Sequence, residues 1–168
     1  MKTTKSKSQL GKTLIFLVTA VLVVLFDQLT KILAIENLTP YDSVPVISEV
    51  LSFTLVFNDS AAFSLGGSAT WVFTLLSSIA SLALLWFGPK FRSTGWLILI
   101  GLALGGVVGN LIDRLFRSPG FPNGKVVDFI QIPFNFPIFN IADSAITIAA
   151  TIIAIRIIRG EKLGGASD

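Results

Sequence analysis

Four apolar stretches dominate this chain, each near the roughly 20 helical residues needed to cross a hydrocarbon core. They run over about 13–35, 69–87, 95–116 and 137–158. With 52% hydrophobic and only 14% charged residues in 168, a soluble domain is excluded. The expected fold is an α-helical integral membrane protein with four transmembrane helices. It forms a single domain over residues 1–168, with flexible ends at about 1–10 and 160–168.

Lys2, Lys5, Lys7 and Lys12 precede the first stretch, so its opening is like that of a secretory signal peptide. The apolar run is too long for one and no small-x-small cleavage site follows, so it is expected to remain as an anchor. Orientation follows from Lys and Arg in the short loops. The basic N-terminal tail, Lys90 and Arg92 after span two, and Arg156, Arg159 and Lys162 at the C-terminal end predict that both termini are cytoplasmic. Residues 36–68 contain no Lys or Arg, which puts the two larger loops outside. Arg117 and Lys125, after span three, run against this pattern. The net charge of +3 reflects topology, and no nucleic-acid partner is expected.

The chain has no cysteine and no histidine. Disulfides, thiol nucleophiles, thiolate metal sites, Ser-His-Asp triads and His-based zinc sites are all excluded. Any catalysis must come from Asp, Glu, Lys, Arg, Ser, Thr or Tyr.

Two segments outside the spans are patterned as strands. "VLSFTLVFN" alternates, with Leu51, Phe53, Leu55 and Phe57 on one side. "KVVDFIQI", residues 125–132, lies between "SPGFPNG" and Pro133. A small extracytoplasmic β-sheet or cradle on the outer membrane face is expected, because an unpaired strand edge is not tolerated in hydrocarbon. In span three Gly101, Gly105 and Gly109 recur every four residues, a face that admits another helix closely.

Polar residues in the spans narrow the chemistry further, since an ionised side chain in a bilayer costs several kcal/mol and needs a partner or a wet cavity. Asp27 and Lys31 are spaced for an intrahelical ion pair, which either neutralises both or orients a site. Asn110, Asp113, Arg114 and Arg117 share one face at the end of span three. Asn140, Asp143, Ser144, Thr147 and Thr151 form a stripe on span four, with Asp143 about two turns in. Asp128 stands between Val127 and Phe129 in an apolar strand that would ordinarily carry no carboxylate. If that strand returns along the membrane face, Asp128 reaches Asp143. Two carboxylates sharing one proton are what an aspartic peptidase needs: one takes a proton from water, the other donates to the carbonyl oxygen. A proton or ion pathway would draw on the same residues.

Five blocks in order resemble a known family. "DQLTK" (27–31), "FNDSAAF" (57–63), "GGVVGNLIDR" (105–114), "VVDF" (126–129) and "FNIADSAI" (139–146) are similar to the sequence blocks of bacterial lipoprotein signal peptidase, or signal peptidase II. The resemblance covers nearly the whole chain. It implies an intramembrane aspartic endopeptidase of the bacterial cytoplasmic membrane, active near the outer face. This enzyme removes the signal peptide from prolipoproteins, cutting before a cysteine already modified with diacylglycerol. By motif match Asp128 and Asp143 would be the catalytic dyad, and Asn58, Asn110 and Arg114 would hold the substrate. Asn140, also matched to substrate binding, would support the dyad, while Asp27, Lys31 and Gly109 would be auxiliary or structural. The implied partners are diacylated prolipoproteins and membrane lipid. The enzyme would work as a monomer without metal or organic cofactor, water being the nucleophile. The chain departs from the family at Ser60, where glycine is usual, and in a longer connection, "LFRSPGFPNGK".

Two rivals make different demands. A proton-coupled transporter using Asp27, Asp113 and Asp143 would spread carboxylates through the membrane depth. A glycine-packed scaffold without activity would give Asp128 and Asp143 no role.

Overall fold

The computed structural model describes residues 2–59 and 70–162. Ser60, most of the "NDSAAF" block and the tail from 163 lie outside the described residues. The order is α1 (Lys2–Asn37), β1 (Ser43–Ile47), β2 (Leu51–Asn58), α2 (Thr70–Phe87), α3 (Thr94–Phe116), β3 (Val126–Gln131) and α4 (Ile141–Ile158). All four helices contain segments long and apolar enough to cross a membrane. Leu22, Leu25, Phe26 and Leu29 on α1 and Leu75, Ile79 and Leu82 on α2 are at least half exposed, as faces turned to lipid must be.

α3 is the shared neighbour of the other helices. Its glycines allow this. A Cβ added at Gly105 would lie 2.7 Å from the carbonyl oxygen of Ala20 on α1, and one at Gly106 would lie 2.5 Å from that of Ala142 on α4. Two neighbouring faces of α3, about 100° apart, therefore approach backbone directly, a close packing that small residues make possible in lipid, where apolar burial does not drive helix association. Phe16, Ala20, Leu97, Ile100 and Leu104 fill the α1–α3 contact lower down.

The three strands form an antiparallel sheet in the order β1-β2-β3. Leu55, Val127 and Phe129 pack with Ala34 of α1 into a second core, joined by Phe53 and Phe57, so the alternation in β2 gives the buried face correctly. β1 was not expected from sequence. Pro45 interrupts its Val44/Val46 pattern, and proline is tolerated here because β1 is an edge strand. The long "LFRSPGFPNGK" connection folds back onto helix ends: the N–H of Gly124 donates to the carbonyl of Arg114 at 3.1 Å, and the Thr74 hydroxyl donates to the carbonyl of Pro122 at 2.7 Å.

The fourth helix begins later than its apolar run suggests. Residues 137–140 lie outside the helix, Asn140 is its extended N-cap, and Asp143 falls in the first turn, not two turns in. Asn140 and Asp143 form a reciprocal capping box: the Asn140 side chain accepts from the Asp143 N–H at 2.9 Å, and Asp143 accepts from the Asn140 N–H at 3.2 Å.

Candidate active site

Backbone pairing brings the two aspartates together. After β3 the chain turns and Phe139 pairs with β3 outside the regular sheet, donating to the carbonyl of Ile130 at 3.1 Å and accepting from Phe129 and Ile130. The next residue, Asn140, is thereby delivered beside Asp128. The pleat completes the arrangement. Val127 and Phe129 point into the core under the sheet, so Asp128 points the other way, on the face it shares with Val56 and Asn58.

Amides hold both carboxylates. Asn58 donates to Asp128 Oδ2 at 2.8 Å and Asn140 donates to Asp128 Oδ1 at 2.6 Å. Asn110 donates to Asp143 Oδ1 at 2.8 Å, and Asn140 also donates to Asn110 Oδ1 at 3.1 Å. Asp128 and Asp143 line one cavity of about 560 Å³ with Asn58, Phe139, Ser144 and Thr147. Asp128 is 2% exposed. Burial pushes its carboxyl up to about 6; the neighbouring Asp143 carboxylate adds to the rise, while the amides of Asn58 and Asn140 oppose it.

Arg114 follows Asn110 by one turn of α3. Its guanidinium lies over the Phe73 ring of α2, 5.8 Å from the centroid, and Nη1 reaches the Asn110 carbonyl at 3.4 Å. Its buried Nε–H has no acceptor among the described residues. A donor in that position can receive a peptide carbonyl.

Asp27 and Lys31 lie outside the cavity. Their i,i+4 ion pair is present at 2.9 Å, but it is not self-contained, because Lys31 also contacts Asp113 at 2.7 Å and Asn110 Oδ1 at 3.0 Å. A Cβ at Gly109 would lie 2.7 Å from Asp27 Oδ2, so that glycine admits the carboxylate as well as the helix. Asp113 and Gln28 were not among the site residues expected from sequence. Gln28 Nε2 donates to Asp113 Oδ1 at 3.1 Å and to the Gly109 carbonyl at 3.0 Å. Asp113 carried a signal, its i+3 spacing from Asn110, but Gln28 carried none. Asp27, Asp113 and Asp143 gather near the sheet end of the bundle, an arrangement that gives no relay through the membrane depth.

Residues 19–159 match the family model described as signal peptidase (SPase) II. The lipoprotein signal peptidase of Leifsonia xyli is 44% identical over 161 residues, covering 96% of this chain and 74% of that one. That of Mycolicibacterium smegmatis is 41% identical over 150 residues, covering 89% of this chain and 63% of the relative. Among solved structures, a bacterial membrane enzyme determined by the in meso method at 1.9 Å superposes with a TM-score of 0.74 and 35% identity, over 84% of this chain and 91% of that one. The aspartates, the amides that hold them and all four spans fall largely within the matched region, and the chain belongs to the signal peptidase II family.

Proposed function

We propose that Asp128 and Asp143 are the catalytic dyad with which this protein removes signal peptides from prolipoproteins, cutting before a diacylglyceryl-modified cysteine. The observation that carries this reading is that both carboxylates face one cavity and are held there by the amides of Asn58, Asn110 and Asn140. With no thiol or imidazole in the chain, acid–base hydrolysis by carboxyl groups is the chemistry these residues can perform.

The pair shares one proton, which this reading places on Asp128, the more deeply buried of the two carboxyls. Asp143, at a helix N-terminus where a negative charge is favoured, takes a proton from the attacking water. Water oxygen bonds to the scissile carbonyl carbon as Asp128 gives its proton to the carbonyl oxygen, forming a gem-diol. Return of a diol proton to Asp128 and transfer of the Asp143 proton to the amide nitrogen break the C–N bond and restore the dyad. Arg114 donates from Nε–H, which has no acceptor among the described residues, to a substrate carbonyl, and Asn58 flanks the scissile bond.

The site lies near the outer face of the bacterial cytoplasmic membrane, with both termini cytoplasmic, a reading supported by the Lys and Arg distribution apart from Arg117 and Lys125. The cavity extends from Asp128 down α4 to Thr147 and Ile148, which stand on the exposed face of that helix. A lipid-anchored substrate thus enters sideways from the bilayer. Both acids and every residue holding them come from one chain, so a monomer suffices.

The direct test is turnover of a diacylated precursor in detergent. Asp128→Asn and Asp143→Asn should each lower kcat by about 10²–10⁴-fold or more, the usual contribution of a general acid or base. Unchanged turnover in either folded variant rejects the dyad.

A further inference from the structure

A second polar cluster sits beside the cavity, and none of its members takes part in the proton transfers above. Asp27, Lys31 and Asp113 are fully buried, each with 0% exposure. The Lys31 ammonium has three acceptors, Asp27 Oδ2, Asp113 Oδ2 and Asn110 Oδ1, at 2.9, 2.7 and 3.0 Å, which satisfies all three of its donors. Arg117 Nε supplies the second cation, 2.6 Å from Asp113 Oδ1.

The backbone contacts of these two acids are specific. Asp27 Oδ1 accepts the N–H of Ala142 at 2.9 Å, and Asp113 Oδ2 accepts the N–H of Val127 at 3.2 Å. Ala142 immediately precedes Asp143, and Val127 immediately precedes Asp128. The Ala142 N–H is one of the first-turn donors that a helix cannot satisfy internally, and it is capped by a side chain 115 positions away.

We propose that Asp113 and Asp27 are positioning residues for the reaction: locked together by the Lys31 ammonium, they set the separation of the two reacting carboxylates, Asp113 through β3 and Asp27 through the first turn of α4. The proposal rests on Asp128 and Asp143 being the reacting pair. Simple stabilisation of the bundle explains the cluster less well. Buried ion pairs stabilise weakly compared with apolar packing of similar volume, and the α1–α3 contact is already close through its glycines. Neither consideration accounts for both carboxylates reaching the amide just before each aspartate of the dyad.

The experiment measures kcat, KM and the pH–rate profile on a diacylated precursor, with thermal unfolding in detergent as the folding control. Asp113→Asn and Asp113→Glu are compared with the triple variant Asp27→Asn/Lys31→Met/Asp113→Asn, which removes every fully buried charge of the cluster together. Folded variants should lose at least about tenfold in kcat with KM within about threefold, the signature of an interaction felt in the transition state and not in binding. The bell-shaped profile should also narrow, because carboxyl groups moved apart split each other's titration less. Loss of a remote charge alone would displace both limbs in one direction and keep the width. Wild-type kcat and bell width in a folded variant would overturn the proposal. Failure of all three variants to fold would also overturn it, by assigning the cluster to bundle integrity. Asp128→Asn, run in parallel, separates the two claims: turnover there rejects the dyad itself, whatever Asp113 does.

Discussion

Asn140 binds Asp128 through its side-chain nitrogen at 2.6 Å and caps the N–H of Asp143 through its side-chain oxygen at 2.9 Å. One amide therefore fixes both acids, one from a strand and one from a helix. Its orientation is dictated, since the nitrogen faces only acceptors: Asp128, Asn110 Oδ1 and the Val127 carbonyl.

Asn140→Ala should be costly in two separable ways. Loss of the N-cap should destabilise the protein by about 1 kcal/mol. Loss of the amide between the acids should lower kcat by roughly 10²-fold, comparable to removing one preorganised donor elsewhere. Thermal unfolding and steady-state kinetics on the same sample check both, and a variant that loses stability alone would reduce Asn140 to a cap.

Asp128 should make the fold less stable as pH rises. Its folded-state value of about 6 lies above the ordinary 3.8, so its favourable contribution is complete below 3.8 and is lost as pH rises through 6. Above that range the wild type carries a cost on the order of 3 kcal/mol, lessened by whatever relaxation the site allows. Asp128→Asn lacks this cost, though its amide cannot accept from both Asn58 and Asn140. The variant should melt higher than the wild type at about pH 7.5, with the difference shrinking towards about pH 4. A pH-independent difference would contradict the raised value.

A precursor lacking the diacylglyceryl group should be cut poorly. Its peptide can still meet the dyad, but it loses the bilayer anchoring and apolar contacts that bring the scissile bond to the cavity. Each acyl CH₂ removed from water is worth about 0.8 kcal/mol, so the loss should fall mainly on KM. Competition between lipidated and unlipidated forms in one detergent preparation measures this, and equal kcat/KM would remove the case for entry from the membrane.

Spans, termination of α2 and α3, the faces of β2 and the existence of β3 were legible because each is set by local hydrophobic pattern. Asp128 stood out for a related reason: a carboxylate in an apolar strand breaks that pattern. The N-terminus of α4 was not legible from hydropathy, because Ile138 and Phe139 carry the apolar run across the boundary. The capping pair Asn140 and Asp143 sets that boundary, and the i+3 spacing was there to be read. β1 escaped because its stability comes from pairing with β2 despite Pro45. The Asp27–Lys31–Asp113 cluster was half visible: the i,i+4 pair could be read from α1, but its connection to α3 depends on which helix face turns inward, and only packing decides that.

α1, α2 and α4 each pack on α3, and among the described residues α2 has no comparable contact with either α1 or α4. Arg114 of α3 stands over the Phe73 ring of α2, 5.8 Å from its centroid, on the same side as the dyad carboxylates. The α2 wall around Phe73 is therefore the part of the bundle that owes least to the α1–α3 and α3–α4 contacts. Substitutions there should alter throughput and selectivity while leaving folding nearly untouched.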